Sequence, residues 1–159
     1  KFAALTGVKA SENEALQAQN MLKEIGITLE IVATPVADFT GGKLLEPGNF
    51  DITAFSWNGT PYPLRGIDQI YGGSSENWGS NFARLSNPAL NELIPKIAVE
   101  SDPAKRNEMG QQAAKLIWES VHTLPLYQRP ELVATNNKLA NYGAFGLGSA
   151  DWVNVGFQK

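Results

Sequence analysis

The chain has 159 residues and a mass of 17.2 kDa, with 13 Lys and Arg against 16 Asp and Glu, a formal charge of −3 and a sequence pI near 5.2. The basic residues are scattered from Lys1 to Lys159, with only Lys105 and Arg106 adjacent, so no basic field exists for a phosphate backbone or an anionic membrane, and nucleic acid is not expected as a partner. With 43% hydrophobic and 18% charged residues the composition is that of one globular domain with its own core rather than a disordered chain.

There is no cysteine, which removes disulfides, thiolate metal sites and thiol nucleophiles and leaves the redox compartment open. The apolar runs, such as Phe2 to Leu5, are only a few residues long, so direct membrane insertion is not expected. Lys, not Met, stands first, and any targeting or anchoring segment is expected upstream of Lys1.

Phe2 to Leu5 reads as a strand. Ser11-Glu12-Asn13-Glu14 predicts a capping box, in which the Ser11 hydroxyl and the Glu14 carboxylate satisfy free amides at a helix start. Ala15, Ala18, Leu22 and Ile25 then recur at steps of three and four, the buried stripe of an amphipathic helix that Gly26 ends. Ile27, Leu29 and Ile31 alternate with Thr28, Glu30 and Val32, as in a strand with one buried face. Strand, helix and strand in such close succession predict a parallel, right-handed crossover.

After a Gly- and Pro-interrupted stretch with a short helix near residues 36–39, Phe50 to Trp57 reads as a buried strand that Asn58-Gly59 breaks. The long loop up to Asn81 holds Pro61, Pro63, Ser74-Ser75 and Trp78, with a turn of helix around residues 67–71; loops of that length in a compact domain usually carry function. Asn87 before Pro88, with Leu90, Leu93, Ile94 and Ile97, predicts one helix. Asp102 before Pro103, with Met109, Ala113, Leu116 and Ile117, predicts a second that runs to about Ser120. Residues 124–127 and 131–135 read as extended, and a last apolar stretch spans Trp152 to Phe157.

Catalytic chemistry finds little purchase. His122 is the single histidine and has no G-x-S-x-G elbow to serve, so a structural role is the simpler reading. A hydrolase using His122, or a carboxylate pair drawn from Asp38, Asp51, Asp68 and Glu76, stands as the alternative. Gly41-Gly42-Lys43 lacks the flanking pattern of a phosphate loop and reads as a turn. Asn58-Gly59-Thr60 matches a glycosylation sequon, but Asn-Gly after a strand is first a turn signal. Neither a metal nor a cofactor is expected.

The informative feature is where the residue 50–57 strand ends. Trp57, Asn58, Thr60 and Tyr62 leave the sheet together, followed by Trp78, Asn81 and Arg84, and in open α/β sheets ligands bind outside the carboxyl ends of the strands. Such an aromatic and amide cluster binds rather than catalyses. The competing reading is that Trp57 and Trp78 cap the core.

Leu22-Lys23-Glu24-Ile25-Gly26-Ile27, Asn49-Phe50-Asp51, Gly79-Ser80-Asn81-Phe82-Ala83-Arg84 and Leu124-Pro125-Leu126-Tyr127 stand in an order that resembles the C-terminal half of the oligopeptide-, dipeptide- and nickel-binding family of ABC-transporter solute-binding proteins. Leu22-Lys23-Glu24-Ile25-Gly26-Ile27 resembles a helix-to-strand junction of that family, and Asn49-Phe50-Asp51 with Ser56-Trp57 resembles its Phe-Asp strand ending in Trp. Gly79-Ser80-Asn81-Phe82-Ala83-Arg84, followed by Ser86-Asn87-Pro88 and Leu93-Ile94, is similar to a further run, as is Asp102-Pro103 with Lys105-Arg106 before Leu124-Pro125-Leu126-Tyr127.

The resemblance implies one α/β lobe of a two-lobed periplasmic-binding-protein-like fold, a mixed sheet flanked by helices. Residues 1–120 would form the second lobe, and residues 121–159 would return toward the hinge and the N-terminal lobe. The implied function is binding a peptide or peptide-like small solute between two lobes, outside the cytoplasm, in the periplasm or as a cell-surface lipoprotein of a Gram-positive bacterium. The implied partner is an ABC permease, with no catalysis by this chain. A receptor or scaffold that keeps the fold without transport is a further alternative. Trp57, Asn58, Thr60, Tyr62, Asn81 and Arg84 are the expected ligand-binding residues. Peptide-binding relatives carry an Asp shortly after the strand-terminal Trp to pair with the peptide ammonium, and Thr60 stands there instead. A hydroxyl cannot neutralise a buried ammonium, which turns the expectation away from peptides with a free amino terminus.

Overall fold

Phe2, Ala3 and Ala4 are all buried although they alternate between the two faces of their strand, so that strand must lie inside a sheet covered on both sides. In a computed structural model of the chain, which describes residues 1–158, β1 (Phe2–Leu5) is the centre of a three-stranded parallel sheet. Its neighbours are β2 (Ile31–Thr34) and β3 (Ile52–Thr53), in the order β2-β1-β3, with Phe2 opposite both Ile31 and Ile52. The fold is mixed α/β, and the crossover between β1 and β2 is parallel as expected. Lys159, the last residue of the expected returning segment, lies outside the described residues.

The connecting helix α1 (Lys9–Glu24) begins earlier than the predicted capping box. Val8 stands at its N-cap without a side-chain bond, and Ser11 turns inward, its Oγ accepting from the Leu5 amide at 3.0 Å. Buried in the first turn, Ser11 thus ties β1 to the helix. Glu14 does not cap either; it accepts from Tyr127 Oη at 2.5 Å and Arg129 at 3.3 Å, fastening the C-terminal segment to α1. The helix closes as expected: the Gly26 amide bonds Lys23 O, the Ile27 amide bonds Leu22 O, and Gly26 adopts φ +81, the left-handed turn glycine permits. Ala15, Ala18 and Leu22 pack with Phe2, Ala4 and Leu29, whereas Ile25, expected in that stripe, is exposed because the chain has already turned away.

Two strand boundaries shift. β2 starts at Ile31 rather than Ile27, since residues 25–27 are taken up in the helix-ending turn and four-residue β1 offers only four partners. β3 spans two residues instead of eight, because only Ile52 and Thr53 face β1. Between them lies α2 (Val36–Thr40), whose Phe39 is buried.

The remaining core is helical. α3 (Ile67–Tyr71), α4 (Pro88–Val99) and α5 (Pro103–Glu119) enclose Leu90, Ile94, Ile97 and Ala113, with Leu64, Tyr71, Met109 and Leu116 around them. The predicted caps form: Asn87 Oδ1 accepts from the Leu90 amide, and Asp102 from the amides of Ala104 and Lys105. Buried Gly110 lets α5 approach Leu64, whose Cδ2 would lie 2.8 Å from a Cβ there. Residues 124–127 and 131–135 join no strand; the C-terminal pairing is a short antiparallel ribbon of β4 (Leu139–Ala140) and β5 (Gly156–Phe157).

Candidate functional site

All three strands of the sheet point the same way, so the chain beyond Thr53 leaves from the edge where parallel sheets place their ligands. It enters an aromatic cluster. The Phe55 ring meets Phe39, Trp57 and Phe82 edge-on at 6.2, 5.3 and 5.9 Å, and Trp57 lies parallel to Phe82 with centroids 6.0 Å apart. Each such pair adds about 0.5–1.5 kcal/mol beyond its buried area, which fixes the segment without strand hydrogen bonds. Trp57 is still 46% exposed, so one face of the indole is anchored while the rest meets solvent.

Asn58, Thr60 and Tyr62 follow on the same exposed loop. The Thr60 hydroxyl donates to Tyr62 O at 3.0 Å and accepts from the Tyr62 amide at 3.2 Å, closing a small turn that holds the tyrosine ring out into solvent. Gly59 has an ordinary negative-side backbone and is needed for room: a Cβ there would come within 2.7 Å of Leu147 Cδ2. The C-terminal segment therefore reaches this loop.

Asn81 and Arg84, also expected at the site, are bonded to backbone carbonyls. Asn81 is 1% exposed, and its Nδ2 donates to Gly72 O at 2.9 Å and Leu85 O at 2.8 Å, so it ties both ends of its loop and offers nothing to a solute. Polar residues of this kind are the interior counterpart of surface amides and look the same in sequence. Arg84 sits at φ +53, its guanidinium donating to Glu46 O and packing on Gly48. It joins the 81–86 loop to the segment after α2.

His122 is buried. Leu85 O accepts from its Nε2 at 2.8 Å, which places the proton on that nitrogen, and Tyr71 packs edge-on to its ring at 5.8 Å. Lys43 bonds Asp38 at 2.7 Å, and that hydrogen bond, with the charge behind it, raises the ammonium above its ordinary pKa; the Gly41-Gly42 turn thus feeds an ion pair. Among the described residues no group of three or more His, Asp or Glu side chains is placed to hold a metal ion. Two depressions are open: one of about 390 Å³ between α4 and α5, and one of about 600 Å³ lined by residues such as Tyr142, Phe145 and Asp151. Neither includes Trp57 or its neighbours. Sequence reasoning missed Leu147, for which no local signal exists.

No family model matches the chain. It is 37% identical over 142 residues to an oligopeptide-binding protein, OppA, of Mycobacterium tuberculosis, covering 89% of this chain and 23% of that protein. It is 26% identical over 160 residues to a probable di/tripeptide-binding protein of Pseudomonas aeruginosa, covering 97% and 30%. Its fold matches that of MppA, a periplasmic murein tripeptide-binding protein in its unliganded open form, with a TM-score of 0.63 at 19% identity over 76% of this chain and 23% of that one. The chain thus spans about a quarter of the length of the relatives it matches.

Proposed function

We propose that this chain, which belongs to the oligopeptide-binding family of ABC-transporter substrate-binding proteins, contributes one wall of a cleft in which a peptide or peptide-like solute is enclosed between two lobes. The lobes close on the solute outside the cytoplasm, and the closed form is presented to an ABC permease. In this reading residues 1–120 form the second lobe, and residues 121–159 run back toward the hinge and the N-terminal lobe. The exposed apolar side chains of that last segment, Leu124, Leu126, Leu132 and Val153 among them, support this division, since such a surface calls for protein to cover it.

The observation that carries the reading is Trp57: an indole stacked on Phe82, held at the carboxyl edge of a parallel sheet and left half open to solvent. Asn58, Thr60 and Tyr62 lie on the same loop and complete the wall. No catalytic step is assigned. The hydrolase alternative draws no support from His122, whose protonated nitrogen is held by a backbone carbonyl in the interior. Asp38 is likewise engaged by Lys43.

The test is a thermal-shift screen of the full-length protein against free peptides, N-blocked peptides, sugars and metal chelates, because a ligand that binds only the folded state raises the melting point. A peptide or blocked peptide should raise it, and Trp57→Ala should weaken that binding at least about tenfold, some 1.4 kcal/mol, without unfolding the chain. Unchanged affinity would assign Trp57 to the core. Silence across the panel would favour a scaffold that has kept the fold.

A further inference from the structure

Gly59 is flanked by the residues of the proposed wall, yet its backbone does not require glycine: its φ lies outside the left-handed range that Gly66 and Gly73 occupy. The requirement comes from a side chain almost ninety residues away in sequence. The three atoms nearest a Cβ at position 59 are Cδ2, Cγ and Cδ1 of Leu147, at 2.7, 3.9 and 4.0 Å. Leu147 therefore occupies the volume that any other residue at 59 would fill.

Leu147 is held there by its own segment. Gly146 takes φ +60, the Gly148 amide bonds Phe145 O at 3.0 Å, and Phe145 packs edge-on against Tyr142, which in turn contacts Trp152. Asn141 Nδ2 donates to Asn154 O at 2.8 Å and closes the base of the loop. The result is a leucine at the tip of a braced turn, one side on Gly59 and 51% of its surface still open beside the loop that carries Trp57 and Tyr62.

We propose that Leu147 is a specificity-determining residue of the solute site, forming with Trp57 and Gly59 an apolar seat for an uncharged part of the solute, such as a leucine-like side chain or a blocked amino terminus. The inference rests on the reading of Trp57 as part of the cleft wall. Its chemistry follows from the members of the patch: Trp57, Gly59, Thr60 and Leu147 carry no charge, and the Thr60 hydroxyl is already engaged with the Tyr62 backbone in both directions. An ammonium placed against this surface loses water and gains no counter-charge, whereas an acetyl group or an aliphatic side chain loses little.

The experiment is calorimetric titration of the full-length protein with two probes, trileucine and N-acetyl-trileucine amide, in wild type, Leu147→Ala, Leu147→Met, Gly59→Ala and the double variant Gly59→Ala/Leu147→Ala. Wild type should bind the acetylated probe more tightly than the free one. Leu147→Ala should weaken acetylated binding about tenfold, and Leu147→Met, which keeps the volume, should retain it. Gly59→Ala should also lose about tenfold, and the double variant no more than Leu147→Ala alone, since both act through one contact. Melting curves identify any variant that fails to fold, in which case Leu147→Met and the probe preference of wild type carry the decision.

Wild-type binding with Leu147→Ala within about twofold, or a preference for the free ammonium, overturns the proposal and leaves the cleft reading standing. Failure of wild type to bind either probe overturns both.

Discussion

Helices α4 and α5 enclose their core with residues joined by a three-residue connection, 100–102, whereas the sheet assembles segments roughly thirty and fifty residues apart, Phe2 with Ile31 and Phe2 with Ile52. The helical half is specified locally: Asn87 and Asp102 cap, Pro88 and Pro103 start, and Leu90, Ile94 and Ile97 repeat on one face. The sheet half is specified by what it meets. Its strands are two to four residues long, and the segment after β3 is fixed by aromatic rings and by Leu147. The candidate site lies on this second kind of structure, where distant residues decide how a loop is held.

The largest effect that would probe the contrast is Leu90→Ala. Leu90 is fully buried at the centre of the helical core, and its truncation should cost about 2–5 kcal/mol, read by urea denaturation. Following that transition by both circular dichroism and tryptophan fluorescence sharpens the comparison: coincident midpoints mean that the two halves unfold together, and separate midpoints mean that they do not. A cost below about 1 kcal/mol would break it, since the helical core would then be able to collapse around the gap.

Asn81→Ala comes next, at about 1–3 kcal/mol, because it leaves the Gly72 and Leu85 carbonyls without the donor they share. It should lower the melting temperature while leaving the affinity of any solute for the folded protein within about twofold; a selective loss of affinity would return Asn81 to the binding surface. The smallest is Asp102→Ala, which removes the cap of α5 and should cost about 1 kcal/mol in the same denaturation experiment, with Asp102→Asn restoring most of it.

The same contrast governs what the sequence makes legible. The helix starts at Pro88 and Pro103 and the stop at Gly26 follow from neighbours within four residues, and they stand where the spacing predicts. The capping box failed because Ser11 has a second acceptor role open to it, toward the Leu5 amide, which only the packing of α1 on β1 provides. The strand from Phe50 to Trp57 was over-read for a related reason: Phe55 packs on Phe39 and Phe82, and Trp57 on Phe82, rather than through strand pairing, and periodicity does not distinguish the two. At the site, Trp57 was legible as the aromatic at the carboxyl edge of the sheet. Asn81, expected at the site, is buried on backbone carbonyls, and a buried amide and a ligand-facing amide are the same residue in a list of letters. Leu147 was invisible, since Gly59 after Asn58 already had a sufficient local explanation as a turn.

The central position of β1 has a consequence for the time course of assembly. Of the three strands of this sheet, the one made first cannot be completed until the other two are, because both of its neighbours lie downstream and must close long loops before any pairing repays the lost chain entropy. The α4–α5 hairpin faces no such delay, and contacts that local form orders of magnitude faster than distant ones. Between these two elements, the order of folding therefore runs against the order of synthesis. Through that interval Phe2, Ala3 and Ala4, buried at the end, form an unpaired apolar strand that a nascent chain has to keep from other chains.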